Sequence, residues 1–227
     1  MICGFLGTVI GIERAVAVKH AAAFVAPLAP GVGGLLLLLS HPVWSVVTMT
    51  FGAAALFPLS ATLGAALFGT SLVLLATWLF AFDVARRTLR VPGLPRYMAV
   101  CLLIGYAWLA IAGAAWIASA AELPTRDMAL HALGLGFVVG MMMAHAPVVL
   151  PAVARVKVRF GSIFYVPLAA LHLWLLLRLG FGYSDFLLRG YGAFFNAVAL
   201  VLFVATMVGA AIAWRIMAGA RAASKAS

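Results

Sequence analysis

Long apolar runs alternate with short breaks rich in basic and turn-forming residues along nearly the whole chain. A membrane-spanning helix needs about 20 mainly apolar residues. Seven runs meet this description: Ala21–Leu39, Pro42–Pro58, Ala61–Asp83, Tyr97–Ala118, Ala129–Ala152, Gly161–Leu179 and Tyr191–Trp214. Met1–Val18 is a shorter, partial one, with Glu13 and Arg14 near its end. It opens in apolar sequence, as if cut into a helix. The runs are continuous rather than alternating, which favours helices over a barrel. The connections are short. The pattern therefore predicts an all-α, polytopic transmembrane helix bundle. It has about seven spans plus a partial N-terminal one, in a single domain over residues 1–227.

Composition narrows the class further. Hydrophobic residues make up 67% of the chain and charged residues 9%. Soluble domains hold about 45–50% apolar and about 25% charged residues. A soluble domain, a disordered chain and a nucleic-acid-binding module are all excluded. The lipid bilayer is the expected partner. Cys3 and Cys101 supply neither a disulfide framework nor metal spacing. The N-terminus has no basic n-region and no small-residue cleavage pattern, so no signal peptide is expected.

The net charge of +10 reads as a topology signal. Arg86, Arg87, Arg90 and Arg96 follow one span, Arg155, Lys157 and Arg159 follow another, and Arg215, Arg221 and Lys225 close the chain. Helix parity puts all three groups on one side, which the positive-inside rule makes cytoplasmic. The expected setting is a bacterial inner membrane, with the C-terminus in the cytoplasm. Arg126, Arg178 and Arg189 fall on the other side, as do Arg14 and Lys19, which fit the rule less well.

Ionisable groups at membrane depth are costly and mark candidate sites. The richest stretch is His131–Arg159, which opens HALGLGFVVGMMMAHAPVVLPAV. His131 and His145 are 14 residues apart, which on a regular α-helix leaves them about 40° apart around the axis and roughly 21 Å apart along it. The next span carries His172, whose expected depth lies between the two. Imidazole is the commonest metal ligand and holds haem iron axially. His131, His145 and His172 are therefore the candidate ligands for haem b or copper. Ala132, Gly136, Gly140 and Ala144 form a small-residue stripe that admits a neighbouring helix or a flat macrocycle. Met141, Met142 and Met143 are possible soft ligands for Cu(I), though they span 200° of helix and packing explains them better.

Other polar residues carry paired readings. Glu13 and Arg14 are either a buried charge pair or propionate contact, or an ordinary helix end. Arg178, near Tyr183 and Asp185, either clamps an anion or propionate or simply snorkels. Asp83 is expected to pair with Arg86 and Arg87, and Asn196 to join helices through its amide. Prolines 27, 30, 58, 147, 151 and 167 lie in or at the ends of spans, as kinks around a cavity or as ordinary membrane-helix residues. No Ser–His–Asp set, phosphate loop or zinc-protease motif occurs, and whether the protein is an enzyme stays open.

At GFLGTVIGIERAVAV with APLAPGVGGLLLLL, and again at HALGLGFVVGMMMAHAPVVLPAV with FYVPLAALHLWLLLRLG, the chain resembles bacterial membrane proteins similar to the NnrS family. The resemblance covers most of the chain and rests on those two patches. It implies haem or copper binding linked to nitric oxide metabolism, with His131, His145 and His172 as ligands. Members of that family typically carry a histidine-bearing helix upstream of the position where this chain starts. The first expectation is thus an NnrS-like haem- or copper-binding protein of respiratory or nitrogen-oxide metabolism, with Arg14 and Arg178 as propionate contacts. The alternative is a cofactor-free accessory subunit packed against other subunits of a larger energy-transducing membrane complex. A small-solute transporter is a distant third.

Overall fold

The computed structural model describes residues 60–155, 157–182 and 185–226, with side chains described as far as residue 220. Within them the chain is helical from end to end and contains no strand. The main elements are α1 (Ala61–Phe82), α2 (Ala85–Thr88), α3 (Leu94–Ala120) and α4 (Arg126–His131). A π-helix over Ala132–Val139 then runs directly into α5 (Gly140–Ala154), and α6 (Tyr165–Gly180) and α7 (Phe186–Ala226) follow.

Five helical stretches are long and apolar enough to cross a membrane: Ala61–Phe82, Leu94–Ala120, Arg126–Ala154, Ser162–Gly180 and Phe186–Ala220. They correspond to the last five runs read from the sequence, each within a few residues except the last. The Ala21–Leu39, Pro42–Pro58 and Met1–Val18 runs lie outside the described residues, as do Arg14, Glu13, His20 and His41. The last helix runs past its predicted end at Trp214 to Ala226. Its 41 residues span about 60 Å, twice the hydrocarbon thickness, so it extends beyond the bilayer. After Trp214 the sequence holds no proline and a single glycine, Gly219, while its Ala, Met, Arg and Lys residues favour a helix.

Local chemistry sets the helix ends. The Ser60 hydroxyl accepts from the Leu63 amide and caps α1. Pro95 sits in the first turn of α3, where its missing N–H costs nothing. Arg155 closes α5 in the left-handed region at φ 52°. Pro167 also lies in a first turn, whereas Pro147 and Pro151 are inside α5. Asp83 departs from its expected role. Among the described residues it pairs with neither Arg86 nor Arg87; its carboxylate accepts from the Ala85 amide at 2.6 Å. Arg86 reaches the Phe80 carbonyl instead. A short connection brings the backbone amide to Asp83 before either flexible guanidinium can arrive.

Packing follows small residues. Helices α1 and α3 touch backbone to backbone where Gly69 meets Gly113: a Cβ on Gly69 would lie 2.5 Å from the Gly113 carbonyl oxygen and 2.8 Å from the Ile117 nitrogen. Only glycine permits this approach, the usual device for joining helices in lipid. Two apolar clusters fill the bundle. One holds Leu72, Trp108, Trp116, Ala132 and Leu175. The other holds Tyr97, Cys101, Met143, Phe164 and Leu171, with Tyr97 ringed by Phe160, Phe164 and Tyr165 at 5.3–5.9 Å.

The helix order sorts charge between the two ends. The α1–α3 and α5–α6 connections and the end of α7 form one end, with ten basic residues and one acid, Asp83. The α3–α4 and α6–α7 connections form the other, where Arg126, Arg178 and Arg189 face Glu122, Asp127 and Asp185 in equal number.

Candidate functional site

The structure separates the three histidines chosen from the sequence. His131 closes α4 at the mixed-charge end, His145 lies exposed on α5, and His172 is buried on α6. Among the described residues no three His, Cys, Asp or Glu side chains converge as a metal site.

The π-helix accounts for part of this separation. Its i→i+5 bonds put extra residues into each turn, so each residue advances by less than the 100° of an α-helix. Over Ala132–Val139 the deficit accumulates, and the shared face calculated for His131 and His145 does not survive. Residues four apart stay aligned better through so wide a turn. Accordingly Ala132, Gly136, Gly140 and Ala144 are all buried. Of the two partners that stripe admits, the structure supplies a helix: Gly136 lies against Trp108 of α3 and Gly140 against the ring of His172. The methionines divide as packing residues do, with Met143 buried and Met142 exposed.

His131 belongs to an ionic cluster built by three helices. Its Nδ1 lies 2.8 Å from the Asp127 carbonyl oxygen and 3.2 Å from the Asp127 carboxylate. The same carboxylate receives Arg189 of α7 at 2.8 Å and faces Arg178 of α6 at 4.0 Å. Two residues selected independently from the sequence, His131 and Arg178, thus meet on Asp127. Arg178 is 13% exposed, and its buried Nε has no hydrogen-bond partner among the described residues. The sequence reading missed Asp127 as the organiser. Its four-residue spacing to His131 was the available signal. Asp185, named beside Arg178 in the sequence, caps α7 by accepting from the Leu187 and Leu188 amides. Tyr183 lies outside the described residues.

The hydrogen bonds distinguish the ring nitrogens. A carbonyl only accepts, so His131 donates from Nδ1 to Asp127 and His145 donates from Nδ1 to the Met141 carbonyl at 2.8 Å. Each ring then presents an Nε2 lone pair, the tautomer a metal ligand needs. His172 has the opposite arrangement. The Trp108 indole only donates, and it donates to His172 Nδ1 at 3.0 Å. The remaining ring proton therefore sits on Nε2, which is buried and has no partner among the described residues. With Nε2 protonated, His172 does not fit a metal or haem iron. His131 and His145 do.

Asn196 is the other buried polar side chain at membrane depth on the last two helices, and it is 2% exposed. Neither amide atom has a hydrogen-bond partner among the described residues, so the expected helix-joining bond is not found among them. Helix α7 passes α6 antiparallel, with Phe195 stacked on Trp174 at 4.1 Å. That register carries Asn196 to the depth of His172.

The chain matches the family described as Domain of unknown function (DUF8744), over residues 1–61 and 44–212. It belongs to that family. No curated protein matches the chain, and no solved structure does. The matched stretches take in every residue of the DUF8744 cluster described above, from Asp127 and His131 to Arg178 and Arg189.

Proposed function

We propose that this DUF8744 protein is an NnrS-like, haem- or copper-binding membrane protein of respiratory or nitrogen-oxide metabolism. The observation that carries the reading is the His131–Asp127–Arg178 cluster. His131 is oriented through Nδ1 and offers Nε2 as a ligand, while Arg178 and Arg189 supply cationic partners for propionates at the same end. His145, with the same tautomer, is the second candidate ligand, at a separate depth on α5. Arg14 is retained as a propionate contact from the resemblance alone. Bound there, haem or copper would supply electron transfer or coordination of a small diatomic gas. The residues of this chain would orient the ligand ring, neutralise carboxylates and exclude water.

The orientation that accompanies this reading puts the end with ten basic residues in the cytoplasm of a bacterial inner membrane, C-terminus included. The test is an absorption spectrum and metal analysis of the full chain, purified from cells supplied with haem and copper. A Soret band or stoichiometric copper that is lost in His131→Ala or His145→Ala, and kept in His172→Phe, is the expected result. Absence of both from a folded preparation would overturn the proposal.

One observation favours the second reading, a cofactor-free accessory subunit. Among the described spanning helices α7 is the least buried, at 17% of its most apolar stretch, and the accessory reading would pack another subunit there. Mild extraction that brings down other subunits in fixed ratio, with neither haem nor copper on this chain, would select that reading.

A further inference from the structure

At the basic end, the loop before α6 packs against the outer half of α7. The Arg159 amide bonds to the Ala210 carbonyl, and its guanidinium donates to the Met217 sulfur at 3.0 Å. Lys157 places its ammonium over the Trp214 ring, 5.4 Å from the centroid. Neither cation has an ion-pair partner among the described residues, although both are exposed. A thioether is a weak acceptor and leaves most of the guanidinium's five donors unused.

Beside Arg159 a groove of about 580 Å³ opens between α7 and residues 159–163, just ahead of α6. Its floor is Leu202, Ala205, Gly209 and Ala213 of α7, its wall is Phe160 and Ile163, and Arg159 stands at its rim. The Thr206 hydroxyl in the floor is already bonded to the Leu202 carbonyl, so nothing in the groove asks for a polar ligand. An apolar groove with Arg159 at its rim, and with Lys157 two residues away over Trp214, next in sequence to the lining Ala213, matches an amphiphile with an anionic head and a hydrocarbon tail.

We infer that this groove is a binding site for an anionic phospholipid, its phosphate held by Arg159 and Lys157 and one acyl chain laid along Ala205–Gly209–Ala213. Basic pockets between membrane helices recognise anionic headgroups in this way. The inference stands independently of any metal or haem.

The test uses the full chain in detergent, with binding followed by native mass spectrometry and by thermal melting. The probes are phosphatidylglycerol, phosphatidylcholine of the same chain length, and glycerol 3-phosphate. Phosphatidylglycerol is expected to be retained and to raise the melting temperature, while the other two do neither. Lys157→Gln with Arg159→Gln should weaken its retention at least about tenfold. Gly209→Leu is the second variant: Gly209 lines the groove and a Cβ there has open space beyond its own helix turn, so the added side chain goes into the groove; its unliganded melting temperature checks that the fold is kept. It should abolish lipid retention with both cations intact.

Equal retention of the two phospholipids, or unchanged binding in Gly209→Leu, would overturn the inference. So would a wild-type dimer that Gly209→Leu converts to monomer, because the groove would then hold a second copy's helix. Stabilisation by glycerol 3-phosphate alone would reduce the site to a headgroup anion site and overturn the acyl-chain assignment.

Discussion

The indole of Trp108 donates to Nδ1 of His172 at 3.0 Å, joining α3 to α6 across 64 residues of sequence. The two rings are nearly parallel, 18° apart. His172 and Trp108 lie where the two apolar clusters meet, so this one polar bond sits in the seam of the bundle. Trp108→Phe keeps most of the packing and removes the donor. It leaves a buried acceptor unpaired, which costs about 1–3 kcal/mol. The expected outcome is a lower melting temperature in detergent, with nitrogen NMR showing the His172 ring proton redistributed between Nδ1 and Nε2. Unchanged ring shifts would mean that the bond does not set the tautomer.

Gly136 makes room for that tryptophan. A Cβ at this position would lie 2.6 Å from the Trp108 Cβ and 2.7 Å from its Cδ2, in the stiff part of the side chain. Gly136→Ala should therefore cost about 1–3 kcal/mol by overpacking. Gly134 belongs to the same π-helix, yet nothing lies within 4 Å of its would-be Cβ. Gly134→Ala should be close to neutral. Equal losses from the two substitutions would contradict the Trp108 contact as the cause, because backbone propensity favours alanine at both positions.

Asn196 gives a prediction of opposite sign. Its amide is buried with neither atom bonded among the described residues, and an orphaned polar group costs about 1–3 kcal/mol. Leucine has the same branching and the same number of side-chain heavy atoms, with no polar atoms. Asn196→Leu should raise the melting temperature of the purified protein. A clear fall would show that the amide is satisfied by a water or ligand at the depth of His172.

Asp127→Asn should loosen the mixed-charge end without detaching His131, whose Nδ1 still reaches the backbone carbonyl. Asp127 is 36% exposed and Arg189 47%, so the loss of both arginine contacts should be about 1 kcal/mol or less. Raising the salt should narrow the gap between wild type and variant, because screening weakens exposed pairs. The measurement is a pair of melting curves at low and high ionic strength. A gap that ignores salt would contradict an electrostatic role for Asp127.

How legible the site was differs residue by residue. Arg178 and His131 could be chosen from the sequence because charge and imidazole are rare and expensive in apolar runs. Asp127 was overlooked because a carboxylate next to an interface has an ordinary explanation in solvation. The common face of His131 and His145 was misjudged because hydrophobic pattern carries no sign of a π-helix; an eight-residue π stretch reads like any apolar run. Trp108 could not be singled out, since an interfacial tryptophan and a buried donor have the same letter. Its partner lies 64 residues away, beyond any local periodicity.

The sequence by itself determined the class: five of the long apolar runs are helices capable of crossing a membrane, and the basic residues sort to one end by helix parity. Both properties follow from backbone hydrogen bonds that must close locally in lipid and from charges that cannot remain there. The tertiary structure alone decided which polar residues meet. Close glycine contacts set the helix approaches, the π turn rotated His131 away from His145, and packing aimed the Trp108 donor at His172. These outcomes depend on interhelical distance and rotation, which no single helix encodes.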